Sequence, residues 1–188
     1  GAMDRQPLEG IRVLDLSQLL PGPYATQFLA EFGADVVKVE HPNGGDWFRS
    51  WDDDLADGGS HTFLSYNRDK RSIALDLKAD AGREAFLALA ADADVVVEGF
   101  RPGVVDRLGI GYDDVREVSE NVVYVSLSGY GQNSPYVDWP GHDLNYIGIG
   151  GLLAMTGETD ETPTHPGIPI ADYAGGMLAA FSIVTGLL

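Results

Sequence analysis

Apolar residues in this chain fall in short runs, separated by polar or glycine-rich turns, with a spacing that alternates between strand and helix. Ile11–Leu16 (IRVLDL) has the length and composition of a buried strand. Beyond it, Pro23 suits the first turn of a helix, apolar side chains recur at Tyr24, Phe28 and Phe32, and Gly33 is a natural stop. Val36–Glu40 (VVKVE) then reads as a second strand. Strand, helix and strand within about thirty residues form a βαβ unit, which predicts parallel strands and a right-handed crossover.

The pattern breaks at His41–Ser60, a stretch too long and polar for an ordinary connection; such loops carry function or move. Its Asp52-Asp53-Asp54 run matches no metal-ligand spacing and reads as a solvated acidic loop. Periodicity resumes with a basic approach, Tyr66–Ser72, leading into a strand at Ile73–Leu77 (IALDL) and a helix at Ala79–Ala91 that places Phe86, Leu87 and Leu89 inward. Asp94–Glu98 (DVVVE) is another buried strand. Val104–Leu108 and Tyr112–Ser119 are two short helices around Gly109-Ile110-Gly111. Asn121–Leu127 (NVVYVSL), β-branched and aromatic, is the last strand before a glycine-rich loop, Ser128–Gln132.

These elements predict an α/β fold: an open, mostly parallel Rossmann-like sheet with helices on both faces. Ligands of such sheets bind beyond the carboxyl ends of the strands, here Ser17–Gly22, His41, Gly99–Arg101 and Ser128–Gln132. The first turn contains Pro-Gly-Pro and no G-x-G-x-x-G, which argues against a dinucleotide cofactor. The stretch Gly141–Gly176 adds His142 and Asp172, each beside small residues at the predicted start of a helix, where unpaired N–H groups and the positive dipole end suit developing negative charge. Read alone, His142 is a cap or packing residue and Asp172 an N-cap.

Composition narrows the classes of partner. With 12 basic and 29 acidic residues the formal charge is −17, which disfavours nucleic acid and anionic membranes. The cations Lys38, Arg49, Arg68, Lys70, Arg71, Lys78, Arg101 and Arg107 lie mid-chain, while residues 117–188 carry none. That clustering reads either as an anion site at the strand ends or as scattered surface ion pairs. Absence of cysteine excludes thiolate chemistry and fits a reducing, cytoplasmic setting. No apolar run is read as long enough to span a bilayer, and no signal peptide is read. Gly1-Ala2-Met3 looks like a scar of tag removal, so residues 1–6 are set aside as a disordered start.

Taken together, the stretches LEGIRVLDLSQLLPGPYATQFLAEFGADVVKVEHPNGGDWFR, NRDKRSIALDLK, ADVVVEGFRPGVVDRLGIGYD, VVYVSLSGYGQ, GHDLNYIGIGGLLAMTG and GIPIADYAGGMLAA resemble, in order, the N-terminal half of the family III CoA-transferases (CaiB/BaiF type). The resemblance covers nearly the whole chain from Pro7 onward. It implies that residues 7–188 are the N-terminal part of a large CoA-binding domain, without the family's small second domain, in a subunit that interlocks with a second copy as a homodimer. It implies no permanently bound cofactor and no metal; coenzyme A enters as part of an acyl-CoA substrate. By position, CoA contacts fall on Leu19, Leu20 and Pro21, on His41 (where an arginine is common), on Leu75 and Lys78, on Gly99, Phe100 and Arg101, and on Arg107 and Leu108. Ser134-Pro135 replaces the commoner Gly-Pro, and Asp143, beside His142, is expected to be structural.

The resemblance leaves two chemistries open for Asp172. In the family's transferases the matching aspartate attacks an acyl-CoA, forms a mixed anhydride and then an aspartyl-CoA thioester, with Gly175 and Gly176 leaving room for close backbone approach. In the α-methylacyl-CoA racemases of the same group, aspartate and histidine exchange the α-proton of the thioester. The G-H-D-L-N-Y match places His142 on the racemase histidine, so the reading leans toward a 2-methylacyl-CoA racemase or epimerase using His142 and Asp172. A CoA-transferase with Asp172 as nucleophile is the alternative, and a catalytically inactive CoA-binding fragment the third. Since family members are about twice this length, the 188-residue chain alone is expected to be inactive.

Overall fold

A computed structural model describes residues 6–52 and 59–188; the remaining residues, including Gly1-Ala2-Met3 and Asp53-Asp54 of the acidic run, lie outside the described part. Among the described residues, five strands form one parallel sheet: β1 (Arg12–Asp15), β2 (Asp35–Glu40), β3 (Arg71–Ala74), β4 (Val95–Glu98) and β5 (Val123–Ser126). Their order is β3-β2-β1-β4-β5, the doubly wound arrangement that the alternation of elements predicts. Connecting and flanking them, among the described residues, are seven α-helices: α1 (Pro21–Glu31), α2 (His61–Asn67), α3 (Asp80–Ala90), α4 (Val104–Leu108), α5 (Tyr112–Val118), α6 (Asp143–Ile149) and α7 (Ile170–Leu187).

The period of two along each strand builds two cores. Val13, Val36, Val95 and Val97 face Leu29 of α1 and Ile183 of α7, whereas Leu14, Val37 and Val96 face Phe86, Ala90, Val105 and Val115 of α3, α4 and α5. Helices therefore cover both faces, as the valine- and leucine-rich middle of the central strands requires. Gly33, with φ of +100°, ends α1 in the left-handed region that favours glycine.

Four expectations need correction. The third strand starts earlier and ends at Ala74, because its partner β2 ends at Glu40; only the Leu75 N–H bond to the Glu40 carbonyl continues the ladder. The long polar loop contains a 3₁₀ turn at Trp47–Ser50 and leads into α2, which begins where Ser60 Oγ accepts the Phe63 N–H at 3.0 Å. Gln6 belongs to the fold, since its carbonyl accepts the Glu9 N–H at 3.1 Å. And α7, with mean hydropathy 1.4 over 18 residues, is long and apolar enough to cross a membrane by length and composition alone. It packs along α1 and the sheet through Gly176, Ala179 and Ile183, and leaves Met177, Leu178 and Phe181 exposed.

Candidate active site

The carboxyl ends of β1, β4 and β5 open onto a cavity of about 760 Å³. Its walls are Leu16–Leu19, Pro21 and Gly22 after β1, Gly99–Pro102 after β4, Leu127–Gly131 after β5, and the Val137, Trp139–His142 segment leading into α6. Asp172 and Gly175 approach from the first turns of α7, and Trp47 stands at the rim. His142 and Asp172, 30 positions apart in sequence, thus face one space.

His142 occupies the N-cap position of α6, and its backbone N–H donates to Asn145 Oδ1 at 2.9 Å. The capping bond is made by the backbone and Asn145, so the exposed His142 imidazole is left to face the cavity. Asp172 is half-buried in the first turn of α7, whose N-cap is Pro169, so it is not the cap that its position suggested. Burial raises its carboxyl pKa above the usual aspartate value and the neighbouring Asp143 charge raises it further, while His142 draws it down.

Asp143 is buried at the start of α6. Its Oδ1 accepts the N–H groups of Ala171 at 2.5 Å and Asp172 at 3.1 Å. The structural role expected for Asp143 is therefore to cap a different helix from its own.

The aromatic wall escaped the sequence reading. Tyr146 lies edge-on to Tyr130 at 5.1 Å and donates its hydroxyl proton to the Gly141 carbonyl at 2.5 Å. A Cβ at Gly129 would sit 2.1 Å from the Tyr146 ring and one at Gly141 2.7 Å from it, so both glycines exist to admit this tyrosine. Burial, then the charge of Asp172, raises the Tyr146 pKa, which keeps its hydroxyl protonated beside the carboxylate. The signal was present as two glycines flanking an aromatic-rich stretch, but glycine alone does not reveal which ring it admits.

The loop after β1 is fastened by buried charge. Asp15 Oδ1 accepts the Ser17 N–H at 2.9 Å and the Ser17 hydroxyl, and its Oδ2 accepts Thr26 Oγ1 at 2.5 Å and Lys70 Nζ at 3.2 Å. The other two protons of Lys70 go to the Pro23 carbonyl and Asn67 Oδ1. Lys38 Nζ donates to the Ser17 carbonyl at 2.7 Å and pairs with Asp46 Oδ2 at 2.9 Å, while Asp46 Oδ1 accepts the Leu19 N–H at 3.1 Å. Leu19 sits at φ of +63°, a conformation that a leucine rarely adopts, and these bonds hold it there.

The clustered cations thus separate. Lys38, Lys70, Arg49, Arg68 and Arg71 are taken up by Asp46, Asp15, Glu40, Glu31 and Asp35, and the first two of these pairs are buried rather than superficial. Arg101 lines the cavity. Of the positions that the resemblance assigns to CoA, Leu19, Pro21, Gly99, Phe100 and Arg101 line it too.

The others lie outside it. Leu20 is buried against Phe48 and Phe63; Leu75 and Leu108 pack against the core beneath α3 to α5. His41 is exposed and its Nδ1 accepts the Asn43 N–H at 3.0 Å. Lys78 is exposed after β3, and Arg107 is exposed on α4 with its guanidinium folded back toward Gly103. Gly175 has open space where a Cβ would stand, as close approach of a ligand requires, but Gly176 is turned into the α1 contact instead. Among the described residues no group of three or more His, Asp or Glu side chains could hold a metal ion.

Comparison with known proteins agrees with this architecture. The model of CoA-transferase family III matches residues 8–188. The succinyl-CoA:glutarate CoA-transferase of Mus musculus is 42% identical over 183 residues, covering 97% of this chain and 42% of that protein. The succinate–glutarate CoA-transferase of Agrobacterium fabrum is 39% identical, covering 98% of this chain and 48% of that one. The formyl-CoA:oxalate CoA-transferase of Streptomyces avermitilis is 42% identical, over 96% and 44% respectively. A crystal structure of a CaiB/BaiF family protein from Brucella suis superposes with a TM-score of 0.92 at 36% identity, covering 98% of this chain and 50% of that chain. The chain therefore spans a little under half the length of these curated relatives.

Proposed function

The chain belongs to CoA-transferase family III, and from that premise we propose that the whole protein transfers CoA between carboxylic acids, with Asp172 as the nucleophile. The observation that carries Asp172 as the reacting group is its placement: half-buried in the first turn of α7, facing the cavity at the strand ends, with open space over Gly175. In the proposed reaction the Asp172 carboxylate attacks the thioester carbonyl, CoA thiolate leaves, and a mixed anhydride forms. The thiolate then attacks the aspartyl carbonyl, which releases the first acid and leaves an aspartyl-CoA thioester for the acceptor acid. Arg101 and the backbone of Leu19, Gly99 and Phe100 are proposed to hold the CoA portion. The names of these relatives pair succinyl-CoA with glutarate and formyl-CoA with oxalate, which supports short carboxylic acids, at least one of them a dicarboxylic acid, as substrates here.

This choice reverses the lean of the sequence reading, because the relatives named above are CoA-transferases. The racemase reading keeps one specific support: His142 and Asp172 face the same space, as two-base proton transfer needs. Two measurements on the full-length protein separate them. With succinyl-CoA as donor, hydroxylamine should inactivate the enzyme during turnover and mark the peptide containing Asp172, and His142→Ala should retain transfer. Exchange of the α-hydrogen of a 2-methylacyl-CoA in deuterated water, abolished by His142→Ala, would overturn the transfer reading.

A further inference from the structure

The geometry points to Asp143 as the positioning residue for Asp172: its carboxylate fixes the first turn of α7 and places a second negative charge beside the reacting carboxyl. A helix begins with N–H groups that have no partner within the helix. In α7, Pro169 supplies no side-chain cap, and the Ala171 and Asp172 N–H groups instead converge on Asp143 Oδ1 from 28 and 29 positions away. Asp143 is 6% exposed, and among the described residues its Oδ2 is buried without a hydrogen-bond partner. Carboxylates of this kind are costly, and capping alone uses only one of the two oxygens.

The second oxygen therefore bears on its surroundings by charge. Among the described residues, the titratable groups around Asp172 are Asp143 and Tyr146 from α6 and His142 at its N-cap, with Arg101 acting on Tyr146 from the loop after β4. Tyr173, next in α7, is turned away to share a hydrogen bond of 2.6 Å with the Tyr66 hydroxyl. Burial and Asp143 both hold the Asp172 carboxyl pKa above its ordinary value, with His142 as the opposing influence. A more basic carboxylate is a stronger nucleophile once ionised, and pinning its own backbone N–H fixes where it points. Relevance to turnover rests on the transfer reading above; the structural relationship does not.

The test needs no turnover, so it stands or falls apart from that reading. In protein labelled isotopically at aspartate carboxyls, with Asp172→Asn to assign the signal, the Asp172 titration is followed by NMR. Asp143→Asn keeps an acceptor for both N–H groups but removes the charge. It should move the Asp172 midpoint to lower pH while leaving Ala171 and Asp172 amides protected from exchange. Asp143→Ala removes the acceptor too, and both amides should exchange roughly fivefold faster or more. An unchanged or raised midpoint in Asp143→Asn overturns the electrostatic role, and unchanged amide protection in Asp143→Ala overturns the positioning role. Should Asp143→Ala not fold, the wild-type amides decide: Ala171 and Asp172, which have no acceptor within the helix, must exchange well below the free-peptide rate, and exchange at the free rate overturns the proposal.

Discussion

Gly176 of α7 lies directly on the carbonyl of Pro21 in α1: a Cβ added there would be 2.6 Å from that oxygen and 2.9 Å from the Tyr24 ring. The two helices therefore meet backbone to backbone, and this contact sets how far Asp172, one turn earlier, projects over the cavity. Gly176→Ala must push α7 off α1. It should cost about 2 kcal/mol in urea unfolding, the usual range for overpacking. Gly175→Ala, one position earlier with open space at Cβ, should be neutral or stabilising by up to about 1 kcal/mol through helix propensity.

The Lys70 side chain is 1% exposed and spends all three protons on Asp15, Pro23 and Asn67. Lys70→Met leaves the fully buried Asp15 with less cationic support and should lower stability by about 3 kcal/mol. The double variant with Asp15→Asn should be less destabilised than the sum of the two single changes, which a double-mutant cycle by denaturant unfolding measures.

Acid should unfold the protein through the same region. Burial raises the pKa of Asp15, but Lys38, Lys70, Ser17 and Thr26 outweigh it and hold the carboxyl at about 2. Glu40 is likewise raised by burial, yet held at about 2 by Arg49, Ser72 and the Asp46 N–H. Both values lie below those of the unfolded chain, 3.8 and 4.5, so their contribution is complete above that range. Unfolding midpoints in urea should fall steadily from pH 5 to about pH 2, and Lys70→Met should flatten part of that fall.

Asp172 has the opposite sign. Its folded pKa is raised, so its ionised form opposes folding, and the cost disappears as pH drops below the unfolded value of 3.8. Asp172→Asn should therefore raise the melting temperature at pH 7 by about 2 °C, because it removes a carboxylate whose ionisation opposes folding. The gain should vanish near pH 3.5. Scanning calorimetry at the two pH values checks this.

Arg101 lines the cavity as an exposed cation among apolar and aromatic walls. If it meets a CoA phosphate as proposed, Arg101→Ala should weaken CoA binding by about tenfold, the size of one lost charge-assisted hydrogen bond. The wild-type affinity should also fall more steeply with salt than that of the variant. Titration calorimetry at low and high ionic strength reads both.

The alternation of apolar runs determined the sheet, because period two within strands and 3.6 within helices is a local property that does not depend on what packs against it. It left out α2, a seven-residue helix buried only at Phe63 and Asn67 within a polar stretch; its one signal was Ser60 as a cap. Family resemblance named His142, Asp172 and eleven CoA positions, five of which line the cavity, since the ends of β1, β4 and β5 were fixed by those runs. Only the tertiary structure decided the rest. Lys38 and Lys70 are buried structural cations and Arg101 is the cavity cation, a distinction that depends on which carboxylates lie opposite. Asp143 caps a helix that starts 27 residues later, and Gly129 and Gly141 make room for Tyr146, because pairings over such distances arise from the packing of whole elements. Composition and spacing name the residues with chemistry to offer; burial and long-range contact select the ones that face the cavity.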